Sequence, residues 1–367
     1  MKKKKKKKKK KKGLSRLALA FAPAFALGTL ASSALSQTPY TVVMSGLDNP
    51  RGLAFAPNGA LYVAEAGRGG SGPCVVLPRE TRCFGMSGAI TRLWQGQQER
   101  VVDGLPSHAT PEGTDASGPT DISFQGTGGA YVTLGLGGGP DFRQALGSED
   151  SGRLLHLAAS GRWKVVADVA MYEFAFNPAG GPVDSNPFGV LAEPKGRVIV
   201  DAGANALLQV RADGTMETLA VFPSQSNPTP VGPPSIEAVP TSVARGPDGQ
   251  LYVGQLTGFP FVPGLATIYR VTPGQAQPVV HCAGFKMIMD LAFEADGSLL
   301  VVEHATGGLL FPTNSGQLSR VAPDCSRTTL LAGLDRPTSI AVGNDGAIYV
   351  TNHGVTPGAG EVLKLAP

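Results

Sequence analysis

Five carboxylates of this chain recur at matching points of a repeated pattern, and they are the first candidates for chemistry. Glu65, Asp201 and Glu303 each close a short apolar run, whereas Asp121 and Asp290 each open one. Acidic side chains gathered around one opening can hold a hard cation such as calcium, which takes about six to eight oxygen ligands. Asp121, Asp201 and Asp290 are the expected ligands. No fixed-spacing calcium loop is present, so hydrogen-bonded acids around a wet channel mouth are the plainer alternative. His304 and His353 follow two of the apolar runs and have the pKa range of a general base, or of polar surface. His108, His156 and His281 have less to recommend them. The segment 172–187 adds Glu173, Asp184 and Asn186, and Arg51 stands at the head of the first run.

The elements that carry these residues repeat. GLAFAPNGALYVAEAG (52–67), SVARGPDGQLYVGQLTG (242–258) and DLAFEADGSLLVVEHATG (290–307) share one plan with three further segments at 121–137, 189–203 and 339–354. Each has an apolar strand, a tight turn and a second strand. Asn58-Gly59, Asp248-Gly249, Asp296-Gly297 and Asp345-Gly346 suit the turns, because such pairs reach positive φ cheaply. A third, alternating strand follows each hairpin, and in five units a fourth. The sixth unit ends without one. Its missing copy is YTVVMSGL (40–47): VVMSGLDNP (42–50) nearly repeats TLLAGLDRP (329–337). The pattern predicts an all-β, six-bladed β-propeller of four-stranded antiparallel blades, closed by the N-terminal strand joining the C-terminal blade. Closure removes exposed sheet edges.

In such a ring the first-to-second and third-to-fourth turns share one face, and here they are tight. The other face collects the irregular stretches 68–87, 106–120, 136–151, 170–188 and 223–241. Long loops on a rigid scaffold are where binding and catalysis concentrate. The axial rim on that face is expected to hold Arg51, Glu65, Asp121, Glu173, Asp184, Asn186, Asp201, Asp290, Glu303 and His304.

Residues 1–36 read as a secretory leader: lysines from Lys2 to Lys12, an apolar stretch from Leu17 to Leu30, then small residues to Ser36. The propeller is expected to occupy 37–367. The leader holds 12 of the 32 basic side chains and no acid, so the remainder carries 20 basic against 28 acidic groups, a net −8. That charge argues against nucleic acid or an anionic membrane as partner. A monomer outside the cytoplasm is expected. Four cysteines in an exported chain suggest two disulfides, of which three connectivities exist. Cys74 and Cys83 share one loop, and Cys282 and Cys325 lie one repeat apart, which favours those two pairs. Their spacing fits no zinc motif.

VDSNPFGVLAEPKGRVIVDAGANALLQVRADG (183–214), GLDNPRGLAFAPNGALYVAEAG (46–67) and GPTDISF (118–124) resemble the ScyD/ScyE family, exported proteins encoded with the biosynthetic cluster of a cyanobacterial sunscreen pigment. The resemblance spans essentially everything after the leader. It implies an exported six-bladed, TolB-like propeller, and DAGANALLQV is similar to an NHL-type repeat. It carries over no catalytic residues. Gluconolactonase and paraoxonase relatives use an axial calcium with a glutamate near the start of the first inner strand, where this chain has Arg51-Gly52. LYVAEAG and LLVVEHATG resemble the strand-end glutamate of virginiamycin B lyase. Two readings follow: a binding or scaffold propeller for a protein, glycan or small molecule, and a calcium-assisted hydrolase or lyase at the axis.

Overall fold

The computed structural model describes residues 38–127, 129–275, 277–309 and 315–366. The leader lies outside the described residues. Six antiparallel sheets form the blades, each of four strands, with a fifth short strand added to the first. From the axis outward, blade 1 comprises Pro50–Phe55, Leu61–Glu65, Thr81–Trp94 and Gln97–Ala109. Blade 2 comprises Pro119–Phe124, Ala130–Leu134, Arg153–Leu157 and Trp163–Asp168. Blades 3, 4 and 5 begin with the inner strands Pro187–Glu193, Pro240–Arg245 and Ile288–Phe293. In blade 6, Ile340–Val342, Ile348–Asn352 and Gly360–Leu365 are completed on the outside by Tyr40–Leu47, with Tyr40 opposite Leu365 and Val42 opposite Leu363. Each inner strand packs on the next all the way round.

The core is not central. It consists of six apolar layers, one at each junction between blades. The second strands explain this arrangement. In Leu299–Glu303, Leu299 and Val301 face blade 4 while Leu300 and Val302 face blade 6. A strand alternates its side chains between faces, so a strand buried on both sides reads as an unbroken apolar run.

Proline heads most inner strands, where a missing N–H is tolerated at a sheet edge. A register shift then follows in five blades, after Pro50, Pro119, Pro187, Pro240 and Ile288. Such a bulge re-aims side chains. At the head of the inner strand in blades 2, 4 and 6 a threonine hydroxyl, that of Thr120, Thr241 or Thr338, donates 2.8 Å to the carbonyl that opens the next blade.

The long-loop face is more regular than the sequence suggests. Cys74–Val76 pairs with the start of Thr81–Trp94, and that strand continues beyond the blade to pair Phe84 with His108. Two short helices, Pro140–Leu146 and Val169–Phe176, occupy the next two loops. Both expected disulfides are formed, Cys74–Cys83 and Cys282–Cys325.

Candidate functional site

The strand-end acids belong to the scaffold. Glu65 is fully buried and accepts from the Asp48 N–H at 2.6 Å, from Arg100 at 2.8 Å and from the Thr91 hydroxyl. Glu303 accepts from the Lys286 N–H at 2.7 Å and from the Gln317 amide. Asp201 accepts from the Asn186 N–H at 2.6 Å, and Asn352 from the Asp335 N–H at 2.8 Å. In all four cases the donor sits in the segment leading into the same blade's inner strand. The acceptor at the strand end therefore folds each entering segment down. LYVAEAG and LLVVEHATG look alike for this reason.

Asp121 and Asp290 sit close enough at the axis for their charges to repel. Each serves the neighbouring blade. The Asp121 carboxylate accepts from the Val190 N–H at 2.8 Å and from its neighbour Ile122 at 2.8 Å. Asp290 accepts from the Ser339 hydroxyl at 2.5 Å and the Ile340 N–H at 2.9 Å. The inner edge of each blade carries N–H groups with no strand to bind them, and these acids satisfy them. Burial pushes the Asp121 carboxyl well up, with Asp290 adding to it, and burial pushes Asp290 up to about 6. Gly52 is glycine because a Cβ there would collide with the Asp121 carboxylate.

Asp201 is not with these two. It belongs to a second group with Glu173 and Asp184, in the loop that covers blade 3. Its carboxylate also accepts from the Ser185 hydroxyl at 2.6 Å and the Ala204 N–H at 3.1 Å. Burial, reinforced by the charge of Asp201, lifts Glu173 to about 7 and Asp184 to about 6. Oε2 of Glu173 and Oδ1 of Asp184 are buried without a hydrogen-bond partner. Among the described residues no group of three or more His, Cys, Asp or Glu side chains is arranged to hold a metal ion. Asp121, Asp201 and Asp290 are thus split between two places and largely occupied by backbone N–H groups, and they do not fit a calcium ion.

His304 is buried, its Nδ1 lies 3.0 Å from the Pro337 carbonyl, and burial lowers its pKa to about 3. His353 is more open. Its Nδ1 is 2.9 Å from Asp335 and its Nε2 3.8 Å from Glu361.

The long loops border a half-open cavity of about 220 Å³ at the axial mouth. Arg51, Thr120 and Phe188, from the heads of three inner strands, line it together with Asn186, His108 and Arg82. Leu77 and Glu80 line it from the hairpin clasped by Cys74–Cys83. At the tip of that hairpin the Arg79 guanidinium stacks 4.3 Å from the ring centroid of Phe259, which follows the second strand of blade 4. Blade 4 is opposite blade 1 in a ring of six, so the hairpin straps across the mouth. The sequence reading picked out Arg51 and Asn186 but not His108, Arg82 or the strap. Two cysteines nine residues apart inside the longest loop of blade 1 were the available signal.

No protein-family model matches the chain, and no curated protein matches it. Solved structures do match in fold. A protein described as an oxidoreductase (glucose dehydrogenase) from Thermus thermophilus aligns with TM-score 0.56 at 18% identity, over 89% of this chain and 99% of that one. Regucalcin, a calcium-binding protein from Agrobacterium tumefaciens, aligns with TM-score 0.54 at 14% identity, over 89% and 93%. A streptogramin B lyase aligns with TM-score 0.50 at 13% identity, over 89% and 97%. At these identities the likeness extends to the six-bladed propeller fold and no further.

Proposed function

We propose that this chain is an extracytoplasmic binding propeller, with residues 1–36 a cleaved leader and 37–367 a single domain, that takes its ligand at the long-loop mouth of the axis. The strapped cavity lined by Arg51, His108 and Arg82 carries this reading. Two disulfides suit an oxidising compartment outside the cytoplasm. The axial carboxylates that a metal-assisted enzyme would use are taken up by backbone N–H groups of neighbouring strands. Thermal melting of the full chain with calcium and with a chelator tests the reading, because a ligand selective for the folded state raises the melting temperature. No shift is expected. A calcium-dependent shift with stoichiometric bound metal would transfer the case to the calcium-assisted hydrolase or lyase.

A second reading rests on His353. Its contact with Asp335 at 2.9 Å fixes one ring nitrogen, the arrangement of an oriented general base. Turnover in a panel of lactones and esters, lost in His353→Gln, would place this reading ahead of the first.

A further inference from the structure

The cavity under the strap has two unmet demands. The first is charge. The Arg51 guanidinium is buried and bonded only to backbone carbonyls: Ala116 at 2.7 Å, Pro50 at 3.4 Å, and Gly354. These bonds use three of the five N–H groups of a guanidinium. Among the described residues no carboxylate reaches ion-pair distance of it, whereas Arg82 in the same cavity is held by Glu80 at 2.7 Å. Asp115, the other acid lining the cavity, is exposed, and its charge offsets only part of what burial costs the Arg51 cation. A buried cation bonded only to carbonyl dipoles, with its counter-charge on an exposed carboxylate, is under-compensated, and an anion would supply the rest.

The second demand is a hydrogen-bond donor. Nε2 of His108 lies 2.9 Å from the Leu136 carbonyl, an acceptor only, so Nε2 carries the proton. Burial lowers the pKa of this histidine to about 4, and the ring is neutral at physiological pH. Its Nδ1 is then a bare lone pair, buried and without a partner. The ring is held edge-on by Phe142, with centroids 5.5 Å apart. A buried acceptor left unmet costs about 1–3 kcal/mol, which a ligand O–H would recover.

Resting on the binding reading above, we propose that the axial cavity binds a small hydroxycarboxylate, its carboxylate on Arg51 and its hydroxyl donating to Nδ1 of His108. The volume of about 220 Å³ sets the size, since pockets for drug-sized molecules begin near roughly 300 Å³. No covalent step is involved.

The test is isothermal titration of the full chain with glycolate, acetate and ethylene glycol. Glycolate saturates a single site, acetate binds about tenfold more weakly for want of the hydroxyl, and ethylene glycol does not bind. In the unaltered protein, glycolate moves the ¹⁵N resonance of His108 Nδ1 and acetate does not. His108→Phe reduces glycolate to the affinity of acetate, and the resonance measurement stands by itself if that variant fails to fold. Absent glycolate saturation, ethylene glycol binding equal to glycolate, or glycolate saturation with an unmoved His108 resonance would each overturn the inference. A chain that ignores all three probes and is also indifferent to calcium loses this inference and keeps the broader binding reading. Calcium-dependent melting removes the broader reading itself.

Discussion

The two disulfides belong to different parts of the molecule. Cys282–Cys325 joins the outer strand of blade 4 to the turn before the outer strand of blade 5, across 43 residues. Cys74–Cys83 spans nine residues and clasps a strap that belongs to no repeat. The carboxylates divide in the same way. Glu65 and Glu303 occupy equivalent positions and have donors for their oxygens. Glu173 and Asp184 have no counterpart in other blades and keep buried oxygens without partners. A residue that recurs with the repeat serves the ring, and an unmatched residue on the long loops marks where the chain has been put to other use.

If that division holds, ring substitutions lower global stability and loop-face substitutions act locally. The largest effect is expected from Cys282→Ser with Cys325→Ser. Releasing a 43-residue loop costs about 4 kcal/mol in the chain-entropy account, measured by urea unfolding. Cys74→Ser with Cys83→Ser is expected to cost at most about 2.5 kcal/mol, because the loop is short. Equal losses from both pairs would erase the contrast. Next comes Glu65→Ala, which strands the Asp48 N–H and leaves Arg100 only its longer contact with Asp48 at 3.4 Å, at about 3 kcal/mol in the same assay. A loss under 0.5 kcal/mol, within the ~0.5 kcal/mol typical of surface changes, would show that this acid is not part of the scaffold.

Glu173 sharpens the other side. Its folded-state pKa of about 7 lies above its ordinary 4.5, so the folded chain holds a proton that the unfolded chain has lost. Stability contributed by that proton is full below about pH 4.5 and is lost as pH rises through 7, the reverse of the usual carboxylate case. Asp184, raised from 3.8 to about 6, acts in the same direction at lower pH. Glu173→Gln should therefore stabilise the chain at pH 8 by on the order of 1 kcal/mol and leave it unchanged at pH 4, read from melting curves at both values. A gain that is equal at both would mean that the proton is not involved. The smallest effect belongs to Arg79→Ala. Losing the stack on Phe259 costs under about 1 kcal/mol of global stability. Amide hydrogen exchange at Leu77 and Glu80 is nonetheless expected to speed up selectively. Unchanged exchange there would mean that the stack does not hold the strap.

Much of the ring was legible because its information is local and repeated. Alternating and unbroken apolar runs, Asn-Gly and Asp-Gly turns, and the near-copy of 329–337 at 42–50 were enough to place six blades and to join Tyr40–Leu47 to Gly360–Leu365. The candidate site was less legible for the same reason. In the sequence Glu65 and Asp121 look like rim carboxylates, and only the fold reveals that nearby N–H groups already bind them. His108 and Arg82 lie 26 residues apart, and nothing in their spacing says that the strand Thr81–Trp94 runs on beyond its blade to bring both under a strap. Sequence alone determined the blade number and the busy face and favoured the disulfide pairs that the fold then formed, since strand periodicity and repeat length are properties of short segments. Tertiary structure decided which acids are spoken for and which cation has no carboxylate in direct contact, because the supply of hydrogen-bond partners and counter-charge depends on which distant segments come together.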